Sequence, residues 1–298
     1  MTSIYDRSAL LSLNNPDFVA DLERLVRGAY ESDMRHGDVT TESLNFSDRT
    51  ARAVLMAKGE GVFCGQLELS WLMQRFARSV TYELGVEDGF IFHEGAELIY
   101  FEGSAAEILR VERTLLNLLQ RLCGIATRTR EFVRLAHPCQ VAATRKTLYG
   151  LLDKRAVAVG GGLTHRLTLG DAPMYKDTHF ALVDGDWGQI LEGIERLPRA
   201  IPFVTIEVHA IESVGKLLKE LPMDLSWPIV LLLDNFKPNI LAEALSGLNK
   251  PSNVYFEASG GITLESVSVY AKTGVDVMSV GALTHTVTPV DLSLQIMV

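Results

Sequence analysis

Cysteine is scarce in this chain of 298 residues: three in all, Cys64, Cys123 and Cys139, an odd number without metal-type spacing. No disulfide framework or thiolate metal site follows, and they read as small buried hydrophobes in a reducing compartment. Positive charge is also in short supply. Lys and Arg number 28 against 37 Asp and Glu, a net charge of -9. Nucleic acid and anionic membranes need a basic face, so neither is an expected partner. No apolar run approaches membrane length, and the N-terminus lacks a charged stretch followed by an apolar one. Internal repeats, low-complexity tracts and long linkers are absent too. A soluble, cytoplasmic protein is the expectation.

What is present is ordinary globular material, 47% hydrophobic and 22% charged, long enough to bury a full core. Asn15-Pro16 supplies an N-cap and an N1 proline, followed by apolar residues at helical period. Strands are predicted at 50–58, 80–85 and 96–101, and helices at 65–78 and 105–135, the latter broken near Gly124. From residue 140 the rhythm changes. Six strands, at 140–144, 172–176, 203–208, 229–233, 254–257 and 275–279, alternate with helical segments such as 239–248 and 263–273. That is the spacing of repeated βα units and a parallel sheet. Six strands, not eight, favour an open, irregular α/β barrel, with a doubly wound sheet as the alternative.

Each of these strands ends in polar chemistry: Arg145 and Lys146, Lys176, Glu207, Asp234, Ser259-Gly260-Gly261, and Ser279 with Gly281. In a barrel such ends gather at one mouth. Arg145, Lys146, His165, Arg166 and Lys176 form a basic cluster inside an acidic chain. They are either solvated charges or the cage of a small polyanion. The glycines at 260, 261 and 281 make either tight turns or a phosphate cradle backed by a helix starting near Thr263, with Thr284 and His285 as further donors. Glu207 and Asp234 are candidates for a Mg²⁺ site completed by phosphate oxygens, or for salt bridges to the cations. His209 reads as a packing or hydrogen-bonding residue. Lys176 is also a possible Schiff-base lysine. Arg113 by default lies on a solvated helix face, and 184–188 is a lid or an ordinary turn.

Together the motifs Gly37-Asp38-Val39-Thr40-Thr41, Glu112-Arg113-Thr114, Thr144-Arg145-Lys146-Thr147, Gly160-Gly161-Gly162, His165-Arg166, Lys176-Asp177, Leu233-Asp234-Asn235, Glu257-Ala258-Ser259-Gly260-Gly261 and Ser279-Val280-Gly281-Ala282-Leu283-Thr284-His285 resemble the quinolinate phosphoribosyltransferase family. The resemblance covers nearly the whole chain. It implies an N-terminal α/β sandwich domain over 1–114, joined by 286–298, and an open α/β barrel over 115–285. It also implies a homodimer or dimer-based oligomer in which Arg113 is donated across the interface.

By resemblance, Arg145, Lys146, His165, Arg166 and Lys176 surround the pyridine dicarboxylate, with Lys146 and Lys176 among the catalytic groups. Glu207 and Asp234 face the ribose and Mg²⁺ of phosphoribosyl pyrophosphate. Ser259, Gly260, Gly261, Gly281 and His285 hold phosphate. The implied activity is phosphoribosyl transfer to quinolinate with decarboxylation, giving nicotinate mononucleotide, pyrophosphate and CO₂ for NAD biosynthesis.

Several positions depart from the family pattern: Ala143 and His209 replace acids, Thr164 and Thr178 replace asparagines, and 148–152 is shortened and lacks an arginine. The alternative is therefore a divergent paralogue of the molybdenum-transport-associated type acting on another aromatic acid. A Schiff-base barrel lyase and a silent anion-binding protein are the readings from other classes.

Overall fold

The computed structural model describes residues 4–44, 46–222 and 225–297. It separates into two compact units, one of residues 9–130, 147–161 and 286–298, the other of residues 1–8, 131–146 and 162–285.

The first unit is built on an antiparallel sheet. Thr50–Ala57 (β1) is followed by the short Gly61–Val62 (β2), then Val80–Leu84 (β3), Ile91–Phe92 (β4) and Glu97–Ser104 (β5). The C-terminal strand Leu292–Met297 pairs with β1, giving the order C-terminal strand, β1, β5, β3. Helix Gln66–Phe76 buries Leu69, Trp71, Leu72 and Met73, as its apolar spacing dictates. Asn15 caps the helix at Pro16–Leu22 by accepting from the Asp17 N–H.

The Gly37-Asp38-Val39-Thr40-Thr41 motif is also a cap. Gly37 takes φ +78°, and the Asp38 carboxylate accepts from the Thr41 N–H at 3.1 Å and from its hydroxyl. Those Thr41 hydrogen bonds hold the Asp38 carboxyl below its ordinary value. The stability it contributes is therefore present above the usual carboxylate range and lost as pH falls through the folded value. Asp38→Ala should cost about 0.5–2 kcal/mol. In denaturant titrations the deficit should be full at neutral pH and shrink as the pH falls below the usual carboxylate range.

Two boundaries differ from those read in the sequence. Helix Ala105–Ala136 is continuous, without the break expected at Gly124. That glycine is there for close approach: a Cβ would stand 2.4 Å from the Thr288 carbonyl. The unit also runs past 114, to Arg130. The helix stays tied to the strands of this unit through Thr127, which accepts from Val62 N–H of β2 at 2.8 Å, and Gln120, which donates to the carbonyl of Leu292 in the C-terminal strand. Residues 147–161 join the same unit because Asp153 takes a bidentate hydrogen bond from Arg121 and Arg155 is buried against Glu68 and Asp88.

In the second unit six parallel strands follow: Gln140–Ala143 (β6), Met174–Tyr175 (β7), Val204–Val208 (β8), Ile229–Asp234 (β9), Val254–Ser259 (β10) and Val277–Val280 (β11). Their order is β6-β11-β10-β9-β8-β7. First and last strands are neighbours, as barrel closure requires, and the sheet stays open between β6 and β7. All six predicted strands are present, so the open α/β barrel is the architecture and the doubly wound alternative falls.

Strand β9 is buried from Ile229 to Leu233, each apolar side chain contributing roughly 1.5–3 kcal/mol. The barrel floor is Tyr5, Ala142, Ala172, Phe203, Val230 and Val277. Thr164 explains one departure from the family pattern: its buried hydroxyl accepts from Arg7 N–H at 2.8 Å and donates to the Tyr5 carbonyl. It thus fastens the N-terminal segment to the floor.

Cys64 and Cys123 are buried free thiols and Cys139 is half-buried. Burial pushes Cys123 up to about 12 and Cys139 up to about 11, which leaves little nucleophilic thiolate. No helix among the described residues is long and apolar enough to cross a membrane.

Candidate active site

Parallel pairing brings the strand ends into one rim. Asp234 of β9 lies beside Ser259 of β10, which lies beside Ser279 of β11; Val280 lies beside Ala143 of β6, next to Thr144. On the other side Tyr175 pairs with Ile206, so Lys176 comes next to Glu207.

Arg145 and Lys146 are exposed on the bend after β6. Among the described residues neither has a carboxylate within ion-pair distance. Lys146 reaches the far loop: a Cβ on Gly281 would stand 3.3 Å from the Lys146 Cδ and 2.9 Å from the His285 ring. Thr284 locks the pair of loops together, its hydroxyl donating to the Lys146 carbonyl at 2.8 Å. Basic motif and late glycine turn are therefore one surface.

His165 and Arg166 sit deeper. His165 is buried in a left-handed backbone conformation (φ 53°). Its Nε2 lies 3.1 Å from the Glu257 carboxylate, and its Nδ1 accepts from the Arg166 N–H. The Ser279 hydroxyl donates to the other Glu257 oxygen. The imidazole thus faces the barrel interior and braces the rim through Glu257, a partner that sequence reading did not supply. Arg166 donates to the Ala172 carbonyl at 3.0 Å. Burial, and then the nearby Arg145 charge, hold its guanidinium below its ordinary value.

Lys176 Nζ is 3.5 Å from Glu207 Oε2, and His209 Nε2 is 3.7 Å from Glu207 Oε1. Asp177, Glu207 and His209 place one donor atom each within 4.8 Å of one another. Asp234, two residues above the Glu207 level on the next strand, instead accepts from the Asn235 amide at 2.6 Å. Asn235 is left-handed (φ 61°) and its N–H donates to the Ser259 carbonyl. Gly260, at φ +94°, leaves no room for a side chain, since a Cβ would lie 2.1 Å from Asn235 Oδ1. Gly261 faces open space. The backbone at 260–261 is thus bare, as a phosphate requires.

The helix expected from Thr263 begins only at Val267 and runs four residues, because Ser266 and Thr263 close a turn on each other first. It adds little dipole. The loop 184–188 is a capping turn: Asp186 accepts from the Gly188 and Gln189 N–H groups at the head of helix Trp187–Glu195.

Arg113 belongs to the other unit. It is exposed and lines a cavity of about 320 Å³ with Val26, Asp33, Asn117 and Tyr149.

Known proteins are similar to this chain over most of its length. The N-terminal domain of quinolinate phosphoribosyl transferase matches residues 38–123, and its C-terminal domain matches residues 125–295. A probable nicotinate-nucleotide pyrophosphorylase (carboxylating) of Methanothermobacter thermautotrophicus is 37% identical over 91% of this chain and 98% of its own length. A quinolinate phosphoribosyltransferase (decarboxylating) of Nicotiana tabacum is 34% identical over 93% of this chain and 82% of its own. The structure of the nicotinate-nucleotide pyrophosphorylase from Francisella tularensis superposes with a TM-score of 0.81 at 29% identity, covering 93% of this chain and 96% of that one. Fold, ordered motifs and relatives agree: the chain belongs to the quinolinate phosphoribosyltransferase family.

Proposed function

We propose that the protein transfers the phosphoribosyl group of phosphoribosyl pyrophosphate to quinolinate with loss of CO₂, forming nicotinate mononucleotide in NAD biosynthesis. The observation that carries this reading is the rim on which Lys146, which like Arg145 has no carboxylate within ion-pair distance among the described residues, meets the Gly281–His285 turn. It offers cations for a dicarboxylate beside bare backbone for a phosphate. The C1–O bond of the ribose breaks with its electron pair leaving on pyrophosphate, and the pyridine nitrogen bonds to C1. The pyridinium then accepts the electron pair of the C2–carboxylate bond as CO₂ departs, and a proton replaces it at C2.

Arg145, Arg166 and Lys176 bind and orient the diacid. Ser259, Gly260, Gly261, Gly281 and His285 hold the phosphates, with Lys146 bridging the two. Holding two polyanions together is the larger part of the catalysis. Glu207 and Asp234 are the carboxylates placed to stabilise positive charge developing at C1. With phosphate oxygens and water they would supply the all-oxygen ligand set that Mg²⁺ takes. When bound, Mg²⁺ neutralises the leaving pyrophosphate.

The active species is a homodimer or dimer-based oligomer in which Arg113 completes the partner's site, working in the cytoplasm. The Schiff-base reading loses ground, because Lys176 is half-exposed and ion-paired with Glu207, not desolvated.

Incubation with quinolinate, phosphoribosyl pyrophosphate and Mg²⁺ should release nicotinate mononucleotide and CO₂ in equal amounts. Pyrophosphate release with another aromatic acid but not quinolinate would favour the paralogue; none with any acid would favour a silent binder. Gly281→Ala should raise the KM for phosphoribosyl pyrophosphate about tenfold, a loss of ~1.4 kcal/mol. The new methyl displaces His285 and Lys146 while the fold survives, so steady-state kinetics alongside a melting curve test it.

A further inference from the structure

Glu207 is the anomaly of the barrel mouth. Its side chain is about nine-tenths buried, at 9% exposure, yet Oε2 accepts no hydrogen bond among the described residues. Two residues below on the same strand face, the buried Thr205 hydroxyl is likewise unpartnered. A buried carboxylate oxygen left this way is costly unless a cation serves it. Lys176, at 3.5 Å and half-exposed, is a loose partner.

Two other donors close on the same carboxylate. His209 follows Glu207 by two residues, on the bend after β8, and its Nε2 lies 3.7 Å from Glu207 Oε1. Asp177 comes from the neighbouring strand end, where β7 pairs with β8. The three donor atoms lie within 4.8 Å of one another. Ligands of one first-row cation stand about 3 Å apart, given bonds of about 2.0–2.2 Å. Asp177 and His209 are exposed, so they are free to swing inward by that difference.

The donor set differs from the one expected for magnesium. Mg²⁺ takes oxygen ligands and keeps its waters, whereas an imidazole with two carboxylates suits the later first-row divalent ions. His209 supplies that nitrogen at a position where the family pattern has an acid. We propose that Asp177, Glu207 and His209 form an inner-sphere site for a divalent transition-metal cation, which loads in the absence of substrate. The incoming ion displaces the Lys176 ammonium from Glu207 and frees it for the anion in the mouth. Only this last consequence rests on the phosphoribosyl-transfer reading; the site itself does not.

The test is titration of chelator-treated full-length protein with Co²⁺, without substrates, read by visible absorption and calorimetry. One Co²⁺ per chain is expected, and about a hundredfold excess of Mg²⁺ should leave it in place. His209→Gln and Asp177→Asn should each weaken binding at least about tenfold, with far-UV circular dichroism unchanged. His209→Glu should let Mg²⁺ compete. Lys176→Gln should tighten binding severalfold, because the competing ammonium is gone. No saturable Co²⁺ binding, equal binding by His209→Gln, or displacement by equimolar Mg²⁺ would overturn the site. Weaker binding by Lys176→Gln would overturn the exchange with the ammonium. Because binding is read without substrate, a protein that holds Co²⁺ but ignores quinolinate keeps the site and loses only the activity.

Discussion

Arg145→Ala is expected to lower kcat/KM for quinolinate by about 10²–10³ while leaving the melting temperature unchanged or slightly raised. Both halves come from one arrangement. The Arg145 guanidinium has no carboxylate within ion-pair distance among the described residues, and its charge adds to burial in depressing the buried Arg166 beside it. In the free protein it therefore contributes repulsion, and its removal relieves Arg166. With a dicarboxylate in the mouth the sign reverses, since both cations then share an anion and the loss of one is felt in full. Steady-state kinetics and a thermal melt on the same preparation check the pair of outcomes. A lower melting temperature with near-normal turnover would make Arg145 structural and remove it from the site. Arg145→Lys should recover only part of the activity, because a point charge replaces a planar fork.

How much of this was open to reading in the sequence depends on the range of the interaction involved. The six barrel strands were legible because runs such as Ile229–Leu233 are apolar without alternation, as strands buried on both faces must be. The cap at Asn15 is local, and the turn glycines mark themselves. The convergence of Lys146 with Gly281 followed from strand ends meeting at one mouth, although the positions are over 130 residues apart.

Misreadings came where a local rule was overridden by packing. Gly124 looked like a helix breaker, but its missing side chain makes room for the chain at Thr288. The segment after Thr263 had helical spacing, yet the Ser266 hydroxyl accepts from the Thr263 N–H and closes a turn there first. The partner of His165 was not foreseen: its left-handed backbone turns the ring onto Glu257. That partner lies 92 residues away, beyond what periodicity encodes. Asp177 escaped notice as a donor beside Glu207 because only the β7–β8 register brings the two together.

Arg155 carries the other large expected effect, and no motif announced it. It is buried with Glu68, whose two oxygens it meets at 3.0 and 3.3 Å, and with Asp88. Burial works to depress its guanidinium, but Glu68 and then Asp88 hold it above its ordinary value, so the charge persists. Asp88 in turn accepts from the Gly65 and Gln66 N–H groups at the head of helix Gln66–Phe76. Arg155→Met leaves Glu68 fully buried and unpaired, which should cost about 3–5 kcal/mol in denaturant unfolding. The loss should appear as a lower transition midpoint, with residual activity at low temperature reflecting only the folded fraction. Arg155→Met combined with Glu68→Leu removes both buried charges, while Asp88 keeps its N–H partners and some solvent. The double variant should regain most of the stability, returning to within about 1–2 kcal/mol of the parent. If it is instead as unstable as Arg155→Met alone, the penalty arises from packing around the guanidinium stem and the orphaned carboxylate is not its cause.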